Sequence, residues 1–300
     1  MRRCRRFRNI YSGSIEKNTC AHDKRLQSLI QRNWRPVIFP CYPPPVCTEA
    51  EPTASCRILI CLDLMPPMPI LSKNHRSTPV KKRLFVIDGH ALCYRAYFAF
   101  IKNPLTNSKG QNTSAIFGFA RMLFKLVADQ KPDYLVVAFD PPKKSFRFAL
   151  YPEYKANREK MPDDLRSQIE EIKLMVGTLG IRRIEEADYE ADDVLGTIAR
   201  AHASNSLEVV LVTGDKDAYQ LVDDNTSIYA NKKGITEFES YDAAAVRGKL
   251  GIDPAQVIDY MALVGDTSDN IPGVRGVGEK TALKLIQEYG SLDRIYSNLD

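Results

Sequence analysis

From residue 81 onward the chain alternates between two kinds of apolar pattern. Short continuous runs at residues 83–89 (RLFVIDG), 134–140 (YLVVAFD) and 207–215 (LEVVLVTGD) are rich in β-branched residues and lack in/out alternation. Such runs predict strands buried on both faces, as in a parallel sheet. Between them, residues 113–130, 162–180 and 190–203 have helical spacing, the second opened by proline and closed by glycine. Strands alternating with helices of this length predict an α/β fold, a mostly parallel central sheet with helices on both faces.

Residues 1–80 break this pattern. They contain PCYPPPVC, begin MRRCRRFR and hold 13 Lys/Arg against 5 Asp/Glu, whereas residues 81–300 hold 29 against 32. The formal net charge of +5 therefore misrepresents the folded part, which is slightly acidic. Six of the seven cysteines also lie before residue 81, without a CxxC or Cys/His pair at zinc spacing, which argues against a thiolate metal site and for a reducing compartment. Three readings of this disordered N-terminal segment compete: an organelle-targeting peptide, a basic arm on nucleic acid, or an upstream extension outside any domain. The last is favoured, since six cysteines suit a targeting peptide poorly. The most apolar stretch, residues 57–71, is interrupted by Asp63 and two prolines and is too short for a span of about 20 residues.

Candidate chemistry sits where the apolar runs stop. Asp88, Asp140 and Asp215 each end a predicted strand, with Asp217 two residues further on, and ligands of parallel sheets bind outside those carboxyl ends. Glu190, Asp192 and Asp193 lie at a predicted helix start, where free N–H groups tolerate negative charge. GDTSDN adds Asp266 and Asp269. Any one of these pairs is explained by capping or solvation. Five groups at equivalent edges would repel one another unless cations neutralise them. Hard oxygen ligands without His or Cys select Mg²⁺, with Mn²⁺ as substitute. Two such ions about 4 Å apart would polarise a phosphodiester and acidify water.

Two further segments point to phosphate. Residues 146–162 interleave Arg147, Tyr154, Lys155 and Arg158 with aromatics, read either as an amphipathic surface or as phosphate clamps with stacking faces for an unpaired base. Gly273, Gly276 and Gly278 precede a predicted helix carrying Lys280 and Lys284. Glycine turns at helix starts expose N–H groups to anions, and this one fits a helix-hairpin-helix, although Gly-x-Gly alone is common.

Taken together, VIDGHALCYRAY, VVAFD, YKANR, YEADDVLGT, TGDKDAYQLV and MALVGDTSDNIPGVRGVGEKTA, in this order over residues 81–300, resemble the 5′-3′ exonuclease domain at the amino end of bacterial DNA polymerase I and, more distantly, the flap endonucleases. The resemblance implies a PIN-like 5′ nuclease core at 81–240 with a flexible arch near 146–162, and a helical helix-hairpin-helix region at 241–300. It implies that all nine carboxylates bind two or more Mg²⁺ ions. The division expected among them, which the resemblance does not itself supply, puts Asp140, Glu190, Asp192 and Asp193 around one ion, Asp215, Asp217, Asp266 and Asp269 nearer a second, and Asp88 between. Tyr154, Lys155 and Arg158 would act on the scissile phosphate. Arg95 and Arg147 would touch phosphate, and the hairpin would hold duplex, with K⁺ at its carbonyls. The partners implied are DNA flaps, nicks and 5′ ends, and RNA primers annealed to DNA. The setting implied is a monomer in a bacterial cytoplasm, with no membrane partner. The chain would be a piece of a longer polymerase or a standalone exonuclease cut short. Two alternatives remain: an aspartyl-phosphate phosphatase built on GDKDA, and a non-catalytic DNA-binding module.

Overall fold

In β1 (Lys82–Asp88), Leu84 and Val86 face one core and Phe85 and Ile87 the other, and all four are fully buried. Each such side chain contributes about 1.5–3 kcal/mol through removal from water. The computed structural model describes residues 81–299, so the readings made for residues 1–80 lie outside the described residues. β1 is central in a six-stranded sheet with β2 (Tyr134–Phe139), β3 (Arg182–Glu185), β4 (Leu207–Val212), β5 (Thr226–Lys233) and β6 (Glu237–Tyr241), in the order β3-β2-β1-β4-β5-β6. The first five strands run parallel, with Ile87 beside Val137 on one side and Val212 on the other. β6 returns antiparallel along the edge.

Helices cover both faces, as the alternating pattern predicts. α1 (Gly89–Ala99), α2 (Ser114–Gln130) and, after the short α3 (Arg147–Leu150), α4 (Asp163–Thr178) pack Leu92, Phe119 and Leu165 onto the Phe85 face. α5 (Ala191–His202) packs Val194 and Ile198 onto the Leu84 face. That face also receives α6 (Ala243–Leu250), α7 (Val257–Val264), α8 (Glu279–Tyr289) and α9 (Leu292–Ser297) through Val246, Leu263, Ile286 and Ile295. The three predicted strands and three predicted helices all form. β3 and the β5-β6 hairpin were not foreseen, because an edge strand reading RRIE is mostly exposed and has no apolar run to betray it. Among the described residues no helix is long and apolar enough to cross a membrane.

The strand order locates the site. After β1 the chain builds outward to β2 and β3, then crosses back to β4 and β5 on the other flank. The carboxyl ends of β1 and β4 thus flank the point where the winding reverses, which opens a crevice. A two-stranded ribbon, β7 (Gly265–Asp266) with β8 (Ile271–Pro272), joins α7 to the turn before α8. Gly265 has φ +81°, and a Cβ there would strike the Gly273 nitrogen, so these two backbones approach too closely for any other residue.

Gly89 opens α1 directly after Asp88, and a Cβ on it would lie 2.8 Å from the Ala138 carbonyl oxygen and against the Phe139 ring. Gly89→Ala is expected to cost about 1–3 kcal/mol, read as a lower urea midpoint with an unchanged slope.

Candidate active site

The floor of the crevice is built from strand ends. Asp88 caps α1, its Oδ1 accepting the Ala91 N–H at 2.9 Å, while Oδ2 accepts the Thr213 hydroxyl at 3.2 Å. Asp140 follows β2, and its Oδ1 accepts the Ala191 N–H at the start of α5 at 2.7 Å. Its own N–H donates to His90 Nδ1 at 3.0 Å. Asp215 follows β4 and accepts the N–H of Asp217 at 2.9 Å. Asp192 lies in the first turn of α5, and its Oδ1 is buried without a hydrogen-bond partner. Asp266 accepts the Ser268 N–H at 2.7 Å on the small ribbon, beside Asp269. His90, Thr213 and Ser145 were absent from the sequence-based site; only their adjacency to the acidic motifs could have flagged them.

Electrostatics divide the floor. Burial, then Asp140 and Asp215, push the Asp88 carboxyl up to about 7. Burial, then Asp215, Asp88 and Asp140, raise Asp192 well above the usual carboxylate range. Asp217 is raised likewise by burial, then Asp215, Asp266 and Asp269. Two groups therefore share Asp215: one of Asp88, Asp140 and Asp192, the other of Asp217, Asp266 and Asp269. The division drawn from sequence instead placed Asp88 between two sets and Glu190 and Asp193 in the first.

Glu190 and Asp193 are taken by cations instead. Arg147 holds Asp193 through two parallel bonds, Nη1 to Oδ2 at 2.7 Å and Nη2 to Oδ1 at 2.8 Å. Asp193 Oδ2 also accepts the Glu190 N–H at 2.9 Å, closing the capping box of α5. Asp193 is 1% exposed and Arg147 7%. Asp193, expected as a metal ligand, and Arg147, expected as a phosphate contact, satisfy each other here in the wall of the cleft. Glu190 accepts from Lys155 Nζ at 2.9 Å, the Tyr154 hydroxyl at 3.1 Å and the Ser145 hydroxyl at 2.9 Å. Burial alone would raise its carboxyl, but Lys155 and Arg147 hold it below the usual range.

The segment expected as a flexible arch lies as a strap against this floor. The Tyr154 hydroxyl donates to Asp269 at 2.8 Å, Arg158 pairs with the same carboxylate, and the Lys155 N–H donates to the Asp269 carbonyl at 3.0 Å. Asn270 Nδ2 donates to the Glu153 carbonyl at 2.8 Å, so strap and ribbon are stitched from both sides. Tyr154 is consequently buried, and Lys155 takes a left-handed φ of 56° to turn its amine inward. Arg95 is exposed and spends its Nε on the Gly234 carbonyl at 3.0 Å, outside the cleft lining.

One cleft gathers Tyr154, Lys155, Arg158, Glu190, Asp192, Asp215, Asp217 and Asp269, with the Arg147–Asp193 pair also in its wall. An adjoining groove runs from Asp215, Asp217 and Asp266 along Thr267 to Lys280. Gly276 has φ +84° and Gly278 caps α8, which displays Lys280 and Lys284 one turn apart on its exposed side. Among the described residues no group of three or more His, Cys, Asp or Glu is arranged to hold a metal ion in this conformation. The cause is visible: Glu190 and Asp269 are turned to the strap's cations. The donor set nevertheless fits a hard divalent cation, since Asp192 Oδ1 has no partner and Asp88, Asp192 and Asp217 are raised above the usual carboxylate range by burial and then by neighbouring acids, a cost that such a charge would relieve.

Comparison with known proteins agrees with this architecture. Residues 83–251 match the family described as 5′-3′ exonuclease, N-terminal resolvase-like domain, and residues 252–300 match its C-terminal SAM fold. DNA polymerase I of Lactococcus lactis is 48% identical over 225 residues, covering 73% of this chain and 26% of that protein. DNA polymerase I of Bacillus subtilis is 43% identical over 220 residues, covering 73% and 25%. The chain thus spans about a quarter of the length of these curated relatives. A solved structure of the bacteriophage T5 flap endonuclease, a pseudo-enzyme-product complex with DNA and metal ions, superposes with a TM-score of 0.59 at 24% identity, covering 73% of this chain and 79% of that one. With both family domains matched in order across the sheet and the helices that follow it, the chain belongs to the 5′-3′ exonuclease family.

Proposed function

We propose that this chain is a Mg²⁺-dependent, structure-specific 5′ nuclease that hydrolyses phosphodiesters at 5′ ends, flaps or nicks of DNA, including RNA primers annealed to DNA. One observation carries the reading: carboxylates from five separate segments, Asp88, Glu190 and Asp269 buried among them, crowd at the reversal point of the sheet with a buried, unpartnered oxygen on Asp192. That arrangement destabilises the protein alone and is relieved by divalent charge. Asp88, Asp140, Asp192 and Asp215 would hold one ion, and Asp217, Asp266 and Asp269, with Asp215 shared, a second. When bound, such ions acidify water and stabilise charge on the phosphate.

The chain's own residues do the rest. Lys155 and Arg158 would exchange Glu190 and Asp269 for the scissile phosphate, where charge builds as the bond breaks. The Tyr154 hydroxyl sits between Glu190 and Asp269 and would orient whichever oxygen the cations leave. Lys280 and Lys284, with the turn at Gly273, Gly276 and Gly278, would grip duplex backbone without reading sequence, with K⁺ against the turn's carbonyls.

Asp192→Asn removes an ionisable group whose negative charge is disfavoured by burial and by Asp215, Asp88 and Asp140. It is expected to raise Tm in EDTA by a few degrees, to abolish flap cleavage and to erase stabilisation by Mg²⁺; a lower Tm with cleavage intact would refute the assignment.

A second expectation concerns pH. Asp88 binds its proton more tightly folded, near 7, than unfolded. Its contribution is therefore favourable at low pH and is lost as pH rises from about 4 through 7. Mg²⁺ should accordingly raise Tm more at pH 8 than at pH 5, measured by thermal melts at matched ionic strength.

Lys155→Ala should lower kcat on a 5′-flap duplex by about 10²-fold. Lys280→Ala should instead weaken duplex binding and reduce the slope of log K against log salt by about 1.

A further inference from the structure

We propose that the Arg147–Asp193 pair is a positioning device that sets the register of the cationic strap on the acidic floor, and that neither side chain touches phosphate or metal. Arg147 opens α3, directly before the strap, and Asp193 is the third residue of α5, whose start carries Glu190 and Asp192. One bidentate contact at 2.7 and 2.8 Å therefore joins the two bodies that face each other across the cleft.

The other strap contacts to α5 are of a different kind. Lys155 and Tyr154 each give Glu190 one bond, from a single ammonium or hydroxyl. A point donor is exchanged for phosphate easily, whereas a planar fork on a carboxylate is held in direction as well as distance. Both Asp193 oxygens are already used, Oδ2 twice. Turning Asp193 to an ion would strand the buried Arg147 charge, which costs more than it returns. The pair is thus the fixed point about which Lys155 moves from Glu190 to substrate.

The inference rests on the nuclease reading for its kinetic arm only, so the test has two arms on the full chain, with Arg147→Lys, Asp193→Asn and the double variant. In the first, trypsin cutting after Lys155 and Arg158 is timed against cutting after Arg121, which lies within α2 and reports global unfolding. Each single variant should speed the strap cuts about tenfold with Arg121 unchanged, and the double should be no faster than the faster single.

In the second arm, KM for a 5′-flap duplex should rise about tenfold with kcat within about threefold, while Mn²⁺ affinity by calorimetry stays within about twofold of wild type. A tenfold loss of Mn²⁺ affinity in Asp193→Asn but not Arg147→Lys would make Asp193 a ligand and overturn the proposal. So would strap and Arg121 cuts rising together, additive defects, or wild-type behaviour of Arg147→Lys in both arms. A wild-type chain that cuts no flap would sink the nuclease reading while the trypsin arm still judges this one.

Discussion

Like charges crowded at the carboxyl ends of β1, β2 and β4 repel one another, and the surrounding structure is organised around that repulsion. Asp88 and Asp140 each accept an N–H from the first turn of a helix, and Asp88 has the Thr213 hydroxyl as well. These bonds lower the cost of the Asp88 charge without cancelling it, and burial with neighbouring acids still raises both Asp88 and Asp192 above the usual carboxylate range. The parallel sheet supplies the rigidity: its strands are paired on both sides and sealed by two apolar cores. The acids cannot relax apart without breaking that packing.

The strap is the second half of the same balance. Its cations neutralise the buried Glu190 and Asp269, whereas Asp140, Asp192, Asp215 and Asp217 lie more open to solvent. Groups suited to bind a phosphodiester thus occupy those two carboxylates meanwhile, and opening the site amounts to exchanging one set of ion pairs for another. Such an exchange changes free energy little, because pairing is lost and regained together. A bare acidic cleft would gain more from binding but would be less stable while empty.

The fold and most of the floor could be read from residue pattern because strand ends are local signals. Runs such as LFVID and LVVAFD announce both a buried strand and the acid that leaves it. Asp192 and Asp193 were harder. They are adjacent and chemically identical and both line the cleft, yet Asp192 keeps an unpartnered oxygen while Asp193 is paired with Arg147, 46 residues away in sequence. A pairing of that kind depends on three-dimensional placement that no local motif encodes. Arg147, expected as a phosphate contact because it lies in an aromatic, basic segment, reveals its carboxylate partner only in three dimensions. β3 and β6 escaped because edge strands carry little apolar pattern.

The chain separation of the site's hydrogen bonds has a consequence for biosynthesis. Thr213 meets Asp88 across 125 residues, and Tyr154 meets Asp269 across 115. Contacts of such high order form late, because loop closure must precede their reward. A nascent polypeptide emerging from the ribosome therefore lacks the ribbon acids until nearly all of this region has been translated. The acidic cleft is then assembled only once the ribbon has been made, rather than piece by piece.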